Sequence, residues 1–474
     1  MKNLTDREAN TSYLLSMLGQ NMIYAVMSTG MTFYFQSVIF FPAMAISIIT
    51  VLSKIIEFIS DPVMGFLIDN TNSKYGKCRP YLLFTPLPIC VCSILVFMNH
   101  QYGSHNSSAR NLLIILWAGI SSVLFGLVYS AGDVALWAFP SLMYKSADKR
   151  NKLLANAKIV STIGGSLIVL IVLQLSQYAG NIFAQKVNNS ADALQIGTIS
   201  VCTAIILIGS MLFQITGITV REKNIYSQNK ISLKKSFSVM FNCKPFRRIM
   251  ISGILRSPYM LINTVQNVLY IYYFGNNGQV PYIGFMIAIG GFSMLGQLLA
   301  GFAAVKLTKK YSINTLNILF NIASAIALLG VFILYLLNPH HLSDTLPFIA
   351  LTILFFMFSF SLGIVFTLQS FMIADAVDYE EKRSGYRPDG IFFSGQSLLV
   401  KISTGISALI SGVIYTITGF SGNAIEKINS QLQNGAVFAC DNEFSKYRFI
   451  MFLMLSVIPA IGFLLSVIPL RNKK

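Results

Sequence analysis

Long apolar runs dominate the chain from end to end, with neither the alternation of a strand nor the one-sided stripe of a soluble helix. Many exceed the roughly 20 residues that about 30 Å of hydrocarbon requires. Lipid offers the backbone no hydrogen-bond partner, so each run is predicted to be a helix. Turn signals separate about twelve of them, centred near Ile23, Ile55, Cys90, Phe125, Val169, Leu207, Asn263, Ile289, Ala323, Phe358, Ile406 and Pro459. The segments around Pro62, Trp137, Pro258 and Ser361 are long, which predicts tilt or cytoplasmic extension. One long polar stretch, from Arg221 to Arg248, interrupts the series and divides it six and six. It is basic and rich in Asn, Ser and Lys, with no strong hydrophobic period before Leu233. The predicted fold is all-α and polytopic. It has an N-terminal six-helix bundle over 1-220, a cytoplasmic middle loop over 221-246 and a C-terminal six-helix bundle over 247-474.

Composition agrees with that pattern. The chain is 54% hydrophobic and 11% charged, too little charge to cover a soluble protein of 474 residues. The net charge of +17 would suggest nucleic acid in a soluble chain. Here the basic residues sit in every second loop. They form the sets Lys74, Lys77 and Arg79; Lys145, Lys149, Arg150 and Lys152; Arg221 to Arg248; Lys306, Lys309 and Lys310; Lys382, Arg383 and Arg387; and Arg471, Lys473 and Lys474. The loops between carry few, chiefly Arg110, Lys186 and Lys427. This positive-inside pattern places both termini in the cytoplasm and accounts for the charge without nucleic acid. Lys2 and Arg7 precede the first span with no signal-peptide pattern behind them. The six cysteines show no metal spacing and read as packing residues.

Charge inside a span is costly, which makes each such residue a functional candidate. Glu57 and Asp61 lie four apart on one face of the second span, beside Ser60. Two close carboxylates repel unless a cation or proton sits between them, as a coupling-ion site requires. Lys401 or Lys158 could instead neutralise them. On the fourth span Asp133 lies one turn from Trp137 and about one turn from Ser130. A carboxylate accepts from vicinal hydroxyls and an indole stacks on a pyranose, so the set reads as a sugar platform; an interfacial tryptophan is the alternative. Lys401 lies well inside the apolar run from Leu398 to Ile410, whereas Lys158 is near enough to a span end to snorkel. Arg256, Asn263, Gln266 and Asn267 share one stripe of the seventh span, facing a cavity or partner helices. Arg256 at depth needs a partner, either an internal acid or a carboxylate on the substrate.

Six spans, a cytoplasmic loop and six more resemble the major facilitator superfamily. The run from Asp61 to Tyr81, DPVMGFLIDNTNSKYGKCRPY, and the run from Ile373 to Gly390, IADAVDYEEKRSGYRPDG, resemble two signatures of the glycoside–pentoside–hexuronide:cation symporter family. Melibiose permease is its best-known member. The resemblance covers almost the whole chain. It implies cation-binding roles for Glu57, Asp61 and Ser130, and sugar-binding roles for Asp133, Trp137 and Lys158. Gln396 and Lys401 fall on polar positions of the eleventh span. Asn21, preceded by Gln20, stands where melibiose permease has a sugar-binding aspartate, and Glu57 lengthens one ion ligand relative to Asp.

Lys77, Arg79, Asp378 and Glu380 are expected on the cytoplasmic face as gate contacts, exposed and individually weak. The resulting expectation is a secondary transporter that carries a sugar or glycoside with Na+ or H+ by alternating access. It has no cofactor and no enzymatic activity, and is a multi-pass protein of the bacterial inner (plasma) membrane. Its partners are the sugar and membrane lipids. Rival readings are a lipid or lysolipid carrier on the same scaffold and a non-transporting membrane sensor. Asp133 and Trp137 argue against the first, and the lack of an added soluble domain against the second.

Overall fold

A computed structural model describes residues 5–102, 107–184, 190–222, 232–274, 282–418, 428, 431 and 437–471. Among these the secondary structure is helical apart from turns and a single isolated bridge between Ser73 and Gly76. The expected basic residues Lys186, Lys427, Lys473 and Lys474, and positions 223–231 of the middle loop, lie outside the described residues. So does the side chain of Asn267.

The helices are α1 (Asp6–Ala25), α2 (Ala43–Asn70), α3 (Arg79–Phe84), α4 (Pro86–Phe97), α5 (Ser108–Met143), α6 (Ala147–Ala184), α7 (Ser190–Thr219), α8 (Leu233–Asn242), α9 (Lys244–Arg256), α10 (Leu261–Leu269), α11 (Tyr282–Thr308), α12 (Ile313–Leu337), α13 (Thr345–Ser384), α14 (Asp389–Thr418), α15 (Ser445–Phe452) and α16 (Ile458–Ser466). The helical path continues beyond α1 through π-turns at Val26–Gly30 and Tyr34–Val38. Each of the twelve predicted centres falls on a helix. By length and composition, eight of the described helices suit a membrane crossing. The long segments expected around Trp137 and Ser361 appear as α5, of 36 residues, and α13, of 40. At about 1.5 Å per residue, α13 is about 60 Å long, twice the hydrocarbon thickness.

Local chemistry sets the helix starts. Thr5 accepts from the backbone N–H of Glu8, whose carboxylate accepts from Thr5 N–H in return, a reciprocal capping box. Ser107 caps α5 and Ser312 caps α12 in the same way at a single bond. Along α5 and α14, large apolar side chains such as Leu112, Leu113, Leu409, Val413 and Ile417 stay exposed. That is the surface a lipid-facing helix presents, and one a soluble protein avoids.

The chain forms two compact units. The first holds Met1–Phe241 with Ala374–Leu398, and the second Asn242–Ile373 with Leu399–Lys474. In the second unit an aromatic core is centred on Tyr335 and Phe452, whose rings stack at 4.1 Å. In the first unit α2 and the start of α14 touch backbone to backbone. A Cβ on Gly390 would lie 2.3 Å from the carbonyl oxygen of Gly65, and one on Gly65 would lie 2.7 Å from that of Gly390. Neither backbone can yield alone, so Gly390→Ala is expected to abolish most transport. The check is uptake per molecule of membrane-inserted protein, and near-normal uptake would show that this packing is dispensable.

The polar stripe on the seventh span assumed one unbroken α-helix. Ser257–Met260 is instead a 3-10 turn with Pro258 at its start, which separates α9 from α10. Arg256 and Gln266 therefore do not share a single helical register, and Asn263 is exposed. The cysteines also differ from one another. Cys78, Cys90, Cys202 and Cys243 are buried, Cys92 is half-buried, and Cys440 is exposed. In the expected middle loop, residues 233–242 form the amphipathic helix α8.

Candidate functional site

Helix α5 organises the acids of the first unit. Ser130 donates from its hydroxyl to Asp61 Oδ1, joining α5 to α2. Asp61 is fully buried and Ser130 nearly so. Pro62 follows Asp61, and Pro62 has no N–H to give to the carbonyl four residues back. One turn earlier on α2, Glu57 packs against Gly126 of α5 and pairs with Lys54 at 3.0 and 3.1 Å. Lys54 was not anticipated. It sits three residues before Glu57 on the same helix, a spacing that brings side chains together, and it gives Glu57 an ammonium partner from its own span.

Three residues beyond Ser130, about 4.5 Å along the axis, stands Asp133. Its Oδ1 accepts from Gln20 Nε2 at 2.7 Å. The same amide nitrogen donates to the Tyr129 hydroxyl, and Asn21 Nδ2 donates to Gln20 Oε1 at 2.6 Å and to the Met17 carbonyl at 2.9 Å. Asn21 therefore reaches Asp133 through Gln20. Tyr129, another residue the sequence reading passed over, stacks on Tyr24 and lies against Phe125. The ammonium of Lys158 sits 5.1 Å from the Trp137 ring centroid. The indole face expected to carry a sugar thus has a cation over it, a cation–π arrangement that fixes both side chains. Gln396 is buried near the start of α14.

In the second unit Arg256 is buried at the end of α9. It donates from Nη2 to Gln369 Oε1 and lies over the Phe366 ring at 5.3 Å. Its Nε has no hydrogen-bond partner among the described residues. Lys401 is half-buried on α14.

The first unit also carries a dense charged cluster where residues 374–398 meet the turn between α2 and α3. Lys77 Nζ lies 2.6 Å from Asp69 and 3.5 Å from Asp389, and donates to the Arg387 carbonyl at 3.2 Å. Asp69 accepts from the backbone N–H groups of Gly390 and Ile391 at 2.8 and 2.9 Å, a carboxylate at the N-terminus of α14. Arg150 pairs with Asp375 at 2.9 Å and Asp378 at 2.6 Å. Arg387 pairs with Asp378, Glu381 and Asp389. Burial alone would lower the Lys77 pKa. The carboxylates of Asp69 and Asp389 outweigh it, and the net shift is upward.

The gate expectation is corrected on two points. Three of the four are buried, not solvated: Lys77 is 8% and Arg79 9% exposed and Glu380 is fully buried, while Asp378 is half-buried. Low exposure strengthens charge pairing that water would screen. Arg79 and Glu380 are also engaged locally. Arg79 donates to the carbonyls of Gly217 and Ile218 at the end of α7, and Glu380 pairs with Arg383 one turn along α13. Of the four expected residues, Lys77 and Asp378 join the longer-range cluster. Asp69, Arg150, Asp375, Glu381, Arg387 and Asp389 complete it.

A family model described as MFS/sugar transport protein matches residues 12–472. The isoprimeverose transporter of Lactiplantibacillus pentosus is 23% identical over 89% of this chain and 82% of its own length. The inner membrane symporter YicJ of Escherichia coli (strain K12) is 24% identical over 92% of this chain and 85% of its own. Among solved structures, the fucose:proton symporter FucP of E. coli superposes with a TM-score of 0.62 at 12% identity, covering 97% of each chain. That likeness is one of fold.

Proposed function

The chain belongs to the MFS/sugar transport protein family, as a glycoside–pentoside–hexuronide:cation symporter of the major facilitator superfamily, and from that premise we propose how its own residues carry out cation-coupled sugar transport. It is a multi-pass membrane transporter that moves a sugar or glycoside with a cation by alternating access. In this reading both termini lie in the cytoplasm, the spans number twelve in two six-helix bundles, and the membrane is the cell membrane.

Asp61, Ser130 and Glu57 receive the coupling cation, Na+ or H+. Asp133, Gln20, Asn21, Trp137, Lys158 and Gln396 receive the sugar, and Lys401 balances charge. The observation that carries the assignment is the spacing on α5, where Ser130 engages Asp61 and Asp133, three residues on, engages Gln20. A rigid helix that contacts both sites lets each ligand bias the other, and the bias is reciprocal by linkage. The cluster of Lys77, Asp69, Asp389, Arg150, Asp375, Asp378, Glu381 and Arg387 is the cytoplasmic lock, which holds one state of the cycle and releases as a set. The direct test is uptake of labelled glycosides into vesicles with Na+ and H+ gradients imposed separately. Accumulation driven by neither would defeat the assignment.

Arg256 favours a second reading of the substrate. A buried guanidinium whose Nε lacks a partner among the described residues suits the forked recognition of a carboxylate. A uronide glycoside would supply one. If so, glucuronides compete with a transported neutral glycoside in the wild type, and Arg256→Gln weakens that competition by roughly tenfold or more, the scale of one charged hydrogen bond. Absence of competition in the wild type removes the anionic reading.

A further inference from the structure

Three backbone N–H groups of the α2–α3 turn converge on one buried side chain outside every site named so far. Glu222 Oε2 accepts from Lys77 N–H, and Oε1 accepts from the N–H groups of Cys78 and Arg79, all at 2.7 Å. Glu222 is 8% exposed and lies just beyond the end of α7. Gly76 makes the approach possible. Its φ of +110° suits glycine, and a Cβ there would fall 2.5 Å from the Glu222 carboxylate. From the other direction Arg79 donates to Gly217 and Ile218 on α7. The turn is thus fastened to the end of α7 by an acid that takes its N–H groups and a base that gives to α7 carbonyls.

Lys77 stands inside that fastening. A lysine on a loop ordinarily swings through solvent on a flexible four-carbon stem. Here its ammonium is held between Asp69 and Asp389, which requires a fixed backbone at residue 77. Glu222 bonds that residue's own N–H. We infer that Glu222 is a positioning residue of the cytoplasmic lock, setting the turn so that Lys77 reaches both carboxylates. The inference rests on the lock reading proposed above. Glu222 also immediately precedes the basic segment 223–231, so it ties the start of the middle loop to the lock.

A double-mutant cycle tests it, in a background that keeps Cys78 as the sole cysteine. Uptake rate and equilibrium sugar affinity are measured for Glu222→Ala, Lys77→Met and the pair. Each single change is expected to slow uptake by roughly tenfold, because truncating a buried charged partner strands the groups it satisfied. Sugar affinity stays near the parent value, since neither residue touches the sugar site. The pair is no slower than the slower single, the signature of one shared interaction. Cys78, buried in the parent, reacts faster with a maleimide supplied from the cytoplasmic side in Glu222→Ala. Additive losses in the pair, or normal uptake in Glu222→Ala beside a slow Lys77→Met, overturn the role of Glu222 alone. Normal uptake in Lys77→Met overturns the lock reading and this inference with it. If Glu222→Ala does not reach the membrane, Glu222→Gln enters the same cycle. It keeps the shape but turns an NH2 toward backbone donors, and the same outcomes decide.

Discussion

Vesicles carrying Asp61→Asn are expected to equilibrate labelled sugar but never to concentrate it. The substitution keeps the size of the side chain and an oxygen that accepts from Ser130, so the α2–α5 contact survives. It removes the charge that a cation must meet. Glu57 contributes a ligand but cannot replace the Asp61 charge, because Lys54 already pairs with it at 3.0 Å within the same helix; exchange of a mobile cation falls chiefly on Asp61. Without a charge that changes on ion binding, the cation has no differential effect on the sugar site, and a ligand with no differential affinity shifts no equilibrium. Sugar-for-sugar counterflow needs only the sugar site and is expected to persist. The measurement is accumulation ratio against counterflow in the same vesicles. An accumulation ratio well above one in Asp61→Asn would place the coupling ion elsewhere.

The second large effect falls on sugar affinity. Asp133→Ala removes the acceptor that Gln20 Nε2 meets at 2.7 Å and the partner proposed for the sugar hydroxyls. A hydrogen bond to a charged group contributes about 1.5–3 kcal/mol, so losing one or two weakens binding by roughly tenfold to several hundredfold or more. The damage extends to Gln20, which bonds that carboxylate, and to Asn21 and Tyr129, which are chained to it through the Gln20 amide. Asp133→Asn should do less harm, since an amide oxygen can still accept from Gln20. Equilibrium sugar binding to the purified protein separates the two variants. Wild-type affinity in Asp133→Ala would remove α5 from the sugar site.

Much of this was legible in the chain because membrane physics leaves few options. Apolar runs of sufficient length must be helical, and their centres fell on helices throughout. The acids of α2 and α5 stood out because carboxylates in spans are costly. Their partners did not stand out. Lys54 lies three residues before Glu57, and the helical spacing rule was enough to find it. Gln20 and Tyr129 are neutral and raise no cost signal; Tyr129 lies one turn before Asp133 on α5, and only the packing of α1 against α5 shows Gln20 there. The seventh-span stripe failed at Pro258, where a 3-10 turn breaks the register that the spacing assumed. The lock was seen through two of its residues because both signatures carry charge. The contacts that assemble it join positions far apart, such as Asp69 with Gly390 and Arg150 with Asp378, and no local pattern encodes a contact across more than a hundred residues. The burial of Lys77 and Arg79 was likewise hidden, since basic residues in a loop ordinarily mean a solvated surface.

The proposed coupling requires linkage between Asp61 and Asp133 through α5, and that linkage is measurable without transport. Sugar affinity of the purified protein is titrated against Na+ at fixed pH and against pH at fixed Na+, in wild type and in Asp61→Asn. The predicted result is that one cation tightens sugar binding in the wild type by a factor in the range of about 5 to 150. The sugar tightens that cation's binding by the same factor, and Asp61→Asn abolishes both. A wild-type sugar affinity that is independent of Na+ and of pH would contradict it.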